Sequence, residues 1–399
     1  MPNPETAEPA RTRKPVRLAL QGGGAHGAFT WGVLDRMLEE PDLSIEAVSG
    51  TSAGAMNAVV LADGLKRGGP EGAREALADF WNDVGKAAVL SPFRQGVMDR
   101  MSGRASLDNS PGFLLMEGLA RFLSPYDLNP LSLNPLREIV ARHVDFERIN
   151  AASDIAVHVT ATEVSTGLPR VFSQGSLSVD AVMASACLPQ LFPAVEIEGE
   201  AYWDGGFTGN PSLFPLIDGV TEADLILVQI NPVERDGVPR GARDIINRMN
   251  EITFNASLVK ELAALYNVAH LWPDIPTEDG PRPAIRLHHI HSGEAAEVQS
   301  ASSKLDAGAR QLSRLFDMGR ARAGTWFADH PHSIGQVSTL ELDALFGPRP
   351  QIPDRETRAE SFGPRPDTEE RPVPILPYLW GVPIFWAFRP SGRPRSASS

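Results

Sequence analysis

Apolar runs and glycine-rich turns alternate in the first part of the chain. Residues 16–20 and 45–49 are short apolar runs typical of buried strands. Residues 27–40 and 53–66 each follow a glycine-rich turn and carry apolar side chains at helical spacing. The order strand, glycine turn and helix therefore occurs twice, which is typical of the start of a parallel α/β sheet.

The same alternation returns further along the chain. The pattern predicts later strands at residues 155–162, 225–230 and 285–290 and helices at residues 132–143, 179–187, 242–271 and 302–327. A shorter strand-like stretch at residues 201–203 precedes an Asp-Gly-Gly turn. We therefore expect an α/β protein.

The two ends of the chain differ in composition from the part between them. Residues 1–14 predict a disordered lead-in, residues 15–346 a catalytic domain, residues 347–372 a Pro-rich linker, and residues 373–399 an apolar and basic tail. The aromatic rings and arginines of the tail suit either contact with a membrane or lipid surface or docking on the protein itself. Apolar residues at 89–133 suit an acyl-chain channel, a mobile lid or the core of an extra helical layer.

Charge and cysteine content exclude several classes of protein. The formal net charge of −13 argues against nucleic-acid binding, which needs a basic face. The single cysteine, Cys187, excludes an internal disulfide and a cysteine-rich metal site, and its small neighbours indicate a buried packing residue. No signal peptide and no apolar run of about 18–20 residues is visible, so we expect a cytoplasmic protein.

A row of glycines follows the first predicted strand. Gly22, Gly23 and Gly24 can present unobstructed backbone N–H groups to an anion, as a phosphate cradle or as an oxyanion hole. The spacing lacks both Gly-x-Gly-x-x-Gly and a Gly-Lys-Ser/Thr ending, so nucleotide binding has weak support.

A serine lies between two glycines at the end of the second predicted strand. Ser52, flanked by Gly50 and Gly54, has the spacing of a nucleophile elbow, where a sharp turn exposes the hydroxyl group. The following helix directs its positive end toward the serine oxygen. A tightly packed Gly-Ser turn without chemistry would show the same five residues.

A serine nucleophile needs a base. Asp204, followed by Gly205 and Gly206, places a carboxylate in a flexible turn, although Asp-Gly is also a common loop dipeptide. Three histidines follow in the Ser…Asp…His order of α/β-hydrolases, and they also suit polar positions at a strand end: His288, His289 and His291.

The three motifs together, in this order and spacing, resemble the patatin-like phospholipase family. The resemblance runs from about residue 16 to about residue 290 and includes residues 185–193. It implies a three-layer α/β/α fold with a central, mostly parallel sheet, to which this chain adds a Pro-rich C-terminal extension. It also implies a Ser-Asp dyad of Ser52 and Asp204 that works without histidine, and an oxyanion loop at Gly22, Gly23 and Gly24. His26 stands where many members carry arginine, and Gln21 where an acidic residue is frequent.

The resemblance implies a serine acyl hydrolase, a carboxylic ester hydrolase that cleaves fatty-acyl esters of phospholipids, lysophospholipids or related lipids without cofactor or metal. Two alternatives remain open from the residues: a non-catalytic lipid-binding or scaffold protein on the same fold, and an esterase with a Ser-His-Asp triad. The oligomeric state has no signature in the sequence.

Overall fold

The computed structural model describes residues 13–90, 110, 112, 118–119, 122–151, 155–271, 284–293 and 301–347. Contacts between Cα atoms divide the chain into residues 1–348 and residues 349–399. The second unit, and with it nearly all of the predicted linker and tail, lies outside the described residues. The same holds for most of the predicted lead-in and for most of residues 91–121.

The described strands form one eight-stranded sheet with the order β5-β6-β3-β2-β1-β7-β8, and β4 pairs with β3. Strands β1, β2, β3, β7 and β8 run parallel, whereas β4 and β6 are antiparallel to β3, and β5 is antiparallel to β6. The strands are β1 (Lys14–Leu20), β2 (Leu43–Thr51), β3 (Ala156–Glu163), β4 (Pro169–Phe172), β5 (Val195–Ile197), β6 (Glu200–Asp204), β7 (Glu222–Gln229) and β8 (Ala284–His291).

Helices follow the parallel strands in the chain. The α-helices are α1 (Gly27–Met37), α2 (Ala53–Ala87), α3 (Pro125–Leu128), α4 (Pro135–His143), α5 (Phe146–Asn150), α6 (Val179–Ser185), α7 (Phe214–Ile217), α8 (Ala242–Leu271), α9 (Ala309–Asp329) and α10 (Leu342–Phe346). Short 3-10 turns occur at Gly24–His26, Ala88–Leu90, Gly205–Phe207 and Ala301–Leu305.

The sheet is buried on both faces, because alternate residues of a strand point to opposite sides. Leu18 and Leu20 of β1 belong to a core that contains α1, α2 and α9, whereas Ala19 between them belongs to a second core with α7 and α8. The predicted three-layer α/β/α arrangement around a mostly parallel sheet is confirmed.

Several predicted elements have different bounds in the structure. The predicted helix at residues 53–66 continues to Ala87 as α2, with a break at Gly68 and Gly69 where the backbone is non-helical. The predicted helix at residues 302–327 is instead the 3-10 turn Ala301–Leu305 followed by α9. The chain turns between them, because the Asp306 carboxylate accepts a hydrogen bond from the Gly308 amide at 3.1 Å.

Helices α1 and α9 pack so closely that backbone touches backbone. A Cβ atom added at Gly32 would lie 2.0 Å from the Phe316 carbonyl oxygen, and one at Gly319 would lie 2.0 Å from the Phe29 carbonyl oxygen. The glycine row directly precedes α1, and Ala301–Leu305 precedes α9 by three residues. This helix pair therefore fixes the two segments that meet at the carboxyl edge of the sheet, where α/β proteins place their sites.

Candidate active site

Ser52 occupies a strained turn between β2 and α2. Its backbone has φ 55° and ψ −121°, in the left-handed region that non-glycine residues rarely adopt. Its amide donates a hydrogen bond to Ser185 Oγ at 2.8 Å, so the end of α6 helps to hold this turn. A Cβ atom at Gly50 would lie 2.3 Å from the Gly54 carbonyl oxygen. The Gly-x-Ser-x-Gly spacing is thus required by the turn itself.

Asp204 ends strand β6 beside Ser52. Its carboxylate lies beside the Ser52 side chain, and its Oδ1 atom accepts a hydrogen bond from the Gly206 amide at 2.7 Å. Asp204 is only 1% exposed, whereas Ser52 is partly open to solvent. The structure therefore brings together the two residues that the motifs single out, with the hydroxyl group on the accessible side.

Burial makes Asp204 a stronger base than an aspartate in water. Loss of solvent raises the pKa of Asp204 to about 7, against smaller opposing effects of the Gly206 amide, the Ser52 hydroxyl and the Lys304 ammonium. A carboxylate with this pKa can accept a proton and return it near neutral pH.

The glycine row lies directly against Ser52, but its three amides are not equivalent. A Cβ atom at Gly22 would lie 2.8 Å from Ser52 Cβ, which shows how close the loop comes. The Gly22 amide donates to Asn210 Oδ1 at 2.8 Å, so it is already used. The amides of Gly23 and Gly24 have no acceptor among the residues that the structure describes. The loop therefore offers two free donors rather than three.

Gln21 anchors the loop through a polar network that the sequence analysis did not anticipate. Its Oε1 atom accepts hydrogen bonds from the amides of Ile230 at 2.8 Å and Asn231 at 2.7 Å. Its Nε2 atom donates to Asn255 Oδ1 at 2.8 Å. The available signal was positional: Asn231 follows the apolar run of β7 at the carboxyl edge of the sheet, as Gln21 follows β1.

His26 is buried and packs on the segment Ala301–Leu305. Its Nε2 atom lies 2.8 Å from Ser303 Oγ. Burial, followed by the nearby Lys304 ammonium, lowers the pKa of His26 to about 3, so the ring is neutral at neutral pH. His26 therefore does not supply the positive charge that an arginine would. Lys304 brings a charge to the same end of the loop, although burial lowers its pKa to about 8.

The late histidines lie away from Ser52. Strand β8 is separated from β2 by β1 and β7, so its backbone is about 14 Å away at a spacing of about 4.8 Å per strand. His288 Nε2 lies 2.9 Å from Asp224 Oδ1, and His289 Nε2 lies 2.7 Å from Gln229 Oε1. These rings have polar partners of their own, and the structure does not bring them to the serine.

Cys187 is a buried packing residue, as predicted. It is 2% exposed, and its Sγ atom donates to the Pro193 carbonyl oxygen at 3.1 Å. Burial, with a smaller effect of the Asp204 charge, raises the pKa of the thiol to about 11. The thiolate that a nucleophile requires is therefore strongly disfavoured.

The part of the chain that the structure describes has neither a metal-binding cluster nor a membrane-spanning helix. Within it, no three His, Cys, Asp or Glu side chains group as a metal ion would require. Within it too, every helix is too short or too polar to cross a bilayer.

Comparison with solved structures returns larger bacterial proteins at low identity. VipD from Legionella pneumophila is 17% identical, with 79% of this chain and 67% of that chain covered and a TM-score of 0.41. A chain of the ExoU–SpcU complex from the type III secretion system of Pseudomonas aeruginosa is 15% identical, with 80% and 52% covered and a TM-score of 0.31. The chain thus spans about two thirds and about half of these two chains. Comparison with curated proteins gives no match.

A family model, in contrast, covers the site itself. The model described as patatin-like phospholipase matches residues 18–217. The match begins in β1, includes the glycine row, Ser52 and Asp204, and spans half of the 399 residues. The chain therefore belongs to the patatin-like phospholipase family.

Proposed function

We propose that this protein hydrolyses fatty-acyl ester bonds of phospholipids, lysophospholipids or related lipids through a Ser-Asp dyad. The observation that carries the proposal is the pairing of a strained, partly exposed serine with a buried aspartate whose pKa is raised to about 7. Membership of a family of lipid hydrolases supports the choice of substrate class.

In the first half of the reaction, Ser52 Oγ attacks the ester carbonyl carbon while Asp204 takes the hydroxyl proton. The negative oxygen of the tetrahedral intermediate accepts hydrogen bonds from the free amides of Gly23 and Gly24, and it faces the positive end of α2. The bond to the alcohol oxygen then breaks. Asp204 returns its proton to that oxygen, which leaves an acyl group on Ser52.

In the second half, a water molecule attacks the acyl carbon and Asp204 takes a proton from it. Collapse of the second tetrahedral intermediate breaks the bond to Ser52 Oγ, which recovers the proton from Asp204. The fatty acid leaves and the dyad is restored, so no cofactor enters the balance.

The two alternatives have less support. A scaffold protein has no use for the backbone strain at Ser52, which costs about 1–3 kcal/mol. A Ser-His-Asp esterase needs a ring beside the serine, and His288 instead pairs with Asp224. The substitutions His288→Ala, His289→Ala and His291→Ala should therefore each leave residual hydrolysis, whereas a triad would lose it with one of them.

The direct test compares hydrolysis of a p-nitrophenyl acyl ester by the wild type, Ser52→Ala and Asp204→Asn. Ser49→Ala is a matched control, because Ser49 lies on the same strand and its buried hydroxyl has no hydrogen-bond partner among the described residues. We expect the control to keep the wild-type rate and both dyad variants to fall to background. Equal rates in the wild type and Ser52→Ala would disprove the proposal that this protein hydrolyses esters with Ser52 as the nucleophile. A panel of phospholipids and lysophospholipids read by mass spectrometry then identifies the bond that is cut.

A further inference from the structure

We propose that Lys304 and Asn231 are positioning residues that polarise the Gly23 amide through a relay of hydrogen bonds. This inference rests on the proposed function, in which the Gly23 amide is a donor to the oxyanion. Neither residue lies in the matched family region, which ends at residue 217. Both reach the glycine row from the later part of the chain.

The relay has two hydrogen bonds and one peptide group. Lys304 Nζ donates to Asn231 Oδ1 at 2.5 Å, and Asn231 Nδ2 donates to the Gly22 carbonyl oxygen at 3.0 Å. The Gly22 carbonyl and the Gly23 N–H belong to the same peptide unit. Electron density drawn toward the carbonyl oxygen makes that N–H a stronger donor, because linked hydrogen bonds polarise one another. The relay therefore ends on a free donor beside Ser52.

The positive charge at the start of the relay lies among other charged groups. Burial has the largest effect and lowers the pKa of Lys304 to about 8; Glu251 and Asp204 oppose it, whereas Arg235 lowers the pKa further. Arg235 itself pairs with Glu251 at 2.5 Å. The neighbouring His26 is neutral. Lys304 is thus charged at neutral pH and uncharged well above pH 8, although an ammonium group in this setting is unfavourable.

The two residues that supply the side chains of the relay are both held in place by their backbones. The Asn231 amide donates to Gln21 Oε1 at 2.7 Å, which fixes the backbone of the asparagine. The Lys304 carbonyl oxygen lies against Gly24, where an added Cβ atom would be 2.4 Å away. Asn231 is 2% exposed, so water does not compete for its amide group. A rigid relay whose central amide is shielded from water transmits a charge better than a mobile one.

A kinetic test removes the charge while keeping the size of the side chain. Lys304→Met should lower kcat for a neutral p-nitrophenyl ester by about tenfold to a hundredfold with little change in KM, less than the 10²–10³ lost with a whole oxyanion donor. Lys260→Met, which removes an exposed charge from α8, is the matched control and should keep wild-type values. A rise in KM for anionic phospholipids with unchanged kcat on the neutral ester would assign Lys304 to substrate binding and overturn the relay.

A second test does not depend on activity. The measurement is NMR on protein made with glycine that carries ¹³C at the carbonyl and ¹⁵N at the amide. Spectra that require both labels in one peptide unit show only the units that join two glycines. In this sequence these are the units with the amides of Gly23, Gly24, Gly69 and Gly206. We expect Lys304→Met to move the Gly23 amide proton upfield and leave Gly69 unchanged. In the wild type, the chemical shift of the Gly22 carbonyl carbon should change with a midpoint near pH 8. This measurement uses the wild type alone, so it does not depend on the folding of a variant.

The two tests separate the two proposals. If the wild type shows no Ser52-dependent hydrolysis but the Gly23 amide shift changes in Lys304→Met, the proposed function is wrong. The hydrogen-bond relay is then still present in the structure, without a role in hydrolysis. If hydrolysis depends on Ser52 and the Gly22–Gly23 peptide responds neither to Lys304→Met nor to pH, the relay is wrong and the proposed function stands.

Discussion

The Asp204 carboxylate accepts a hydrogen bond from the Gly206 amide at 2.7 Å, two residues further along the chain. This bond fixes one carboxylate oxygen inside the protein and leaves the carboxylate free to interact with Ser52. The Asp-Gly-Gly turn therefore fixes the position of a buried carboxylate. Four predictions follow from this geometry and from the packing around it.

The rate of hydrolysis should depend on the ionisation of Asp204. Because the base must be deprotonated and its pKa is raised to about 7, kcat/KM should fall about tenfold per pH unit below pH 7. The measurement is a pH profile between 4 and 9 on a neutral ester. Labelling of Ser52 by a fluorophosphonate should show the same acid limb. A midpoint near the 3.8 of an ordinary aspartate would contradict the assignment.

Removing the Asp204 charge should stabilise the fold. The pKa of Asp204 is raised from 3.8 to about 7, so between these values the folded state keeps a proton that the unfolded state releases. The free energy of unfolding therefore falls as pH rises through this range, by at most about 4 kcal/mol from this group. Asp204→Asn resembles the protonated acid and should melt higher than the wild type at pH 8, with little difference at pH 4.

Asp79→Asn, which removes an exposed carboxylate from α2, is the control for this prediction. It should change the melting temperature little at either pH. Equal destabilisation by Asp204→Asn at both pH values would show that the carboxylate is held for packing rather than as a base.

Gly24 should tolerate alanine less well than another glycine with a positive φ. Gly24 has φ 58° and lies against the Lys304 carbonyl oxygen, whereas Gly167 has φ 71° with nothing within 4 Å of an added Cβ atom. Gly167→Ala should cost about 1–2 kcal/mol, the strain of the left-handed region. Gly24→Ala must also move a backbone segment, so urea unfolding should show a larger loss. Only Gly24→Ala should reduce hydrolysis.

Two glycines of helix α9 provide a comparison within one element. Gly319 touches the backbone of α1, while the nearest atom to a Cβ at Gly324 is Arg36 Nε at 4.0 Å. Gly324→Ala should stabilise the protein by about 0.5–1 kcal/mol, since alanine is the better helix former. Gly319→Ala should lower the melting temperature sharply, because the helices must separate. Similar melting temperatures for the two variants would mean that α1 and α9 are not in contact in solution.

A local motif was sufficient to single out Ser52 as a candidate nucleophile, whereas Asp204 was singled out only by the order and spacing of all three motifs. Ser52 depends on Gly50 and Gly54, two residues to either side, so the turn is encoded within five positions. The alternation of strands and helices is equally local, and it predicted a parallel α/β sheet, whereas the three layers were implied by the family resemblance. Strands β4 and β5 were not predicted, because four and three residues are too few for a pattern to emerge.

The partners of the glycine row could not be predicted, because they are distant in sequence. Asn210 is 188 residues from Gly22, and Ser303 is 277 residues from His26. No local pattern connects such pairs, and the sequence around each of these residues is that of an ordinary loop. Their role becomes visible only when the turn that follows Asp204 and the segment Ala301–Leu305 are both placed beside the glycine row.

The contact between α1 and α9 joins the two segments that meet at the carboxyl edge of the sheet, because the glycine row leads into one helix and the Lys304 segment into the other. We expect a ligand that binds between these segments to stabilise the folded state. A ligand at one hundred times its Kd raises the free energy of unfolding by about 2.7 kcal/mol. A thermal-shift screen of lipid esters and oxyanion analogues can therefore find ligands of this protein before any turnover is measured.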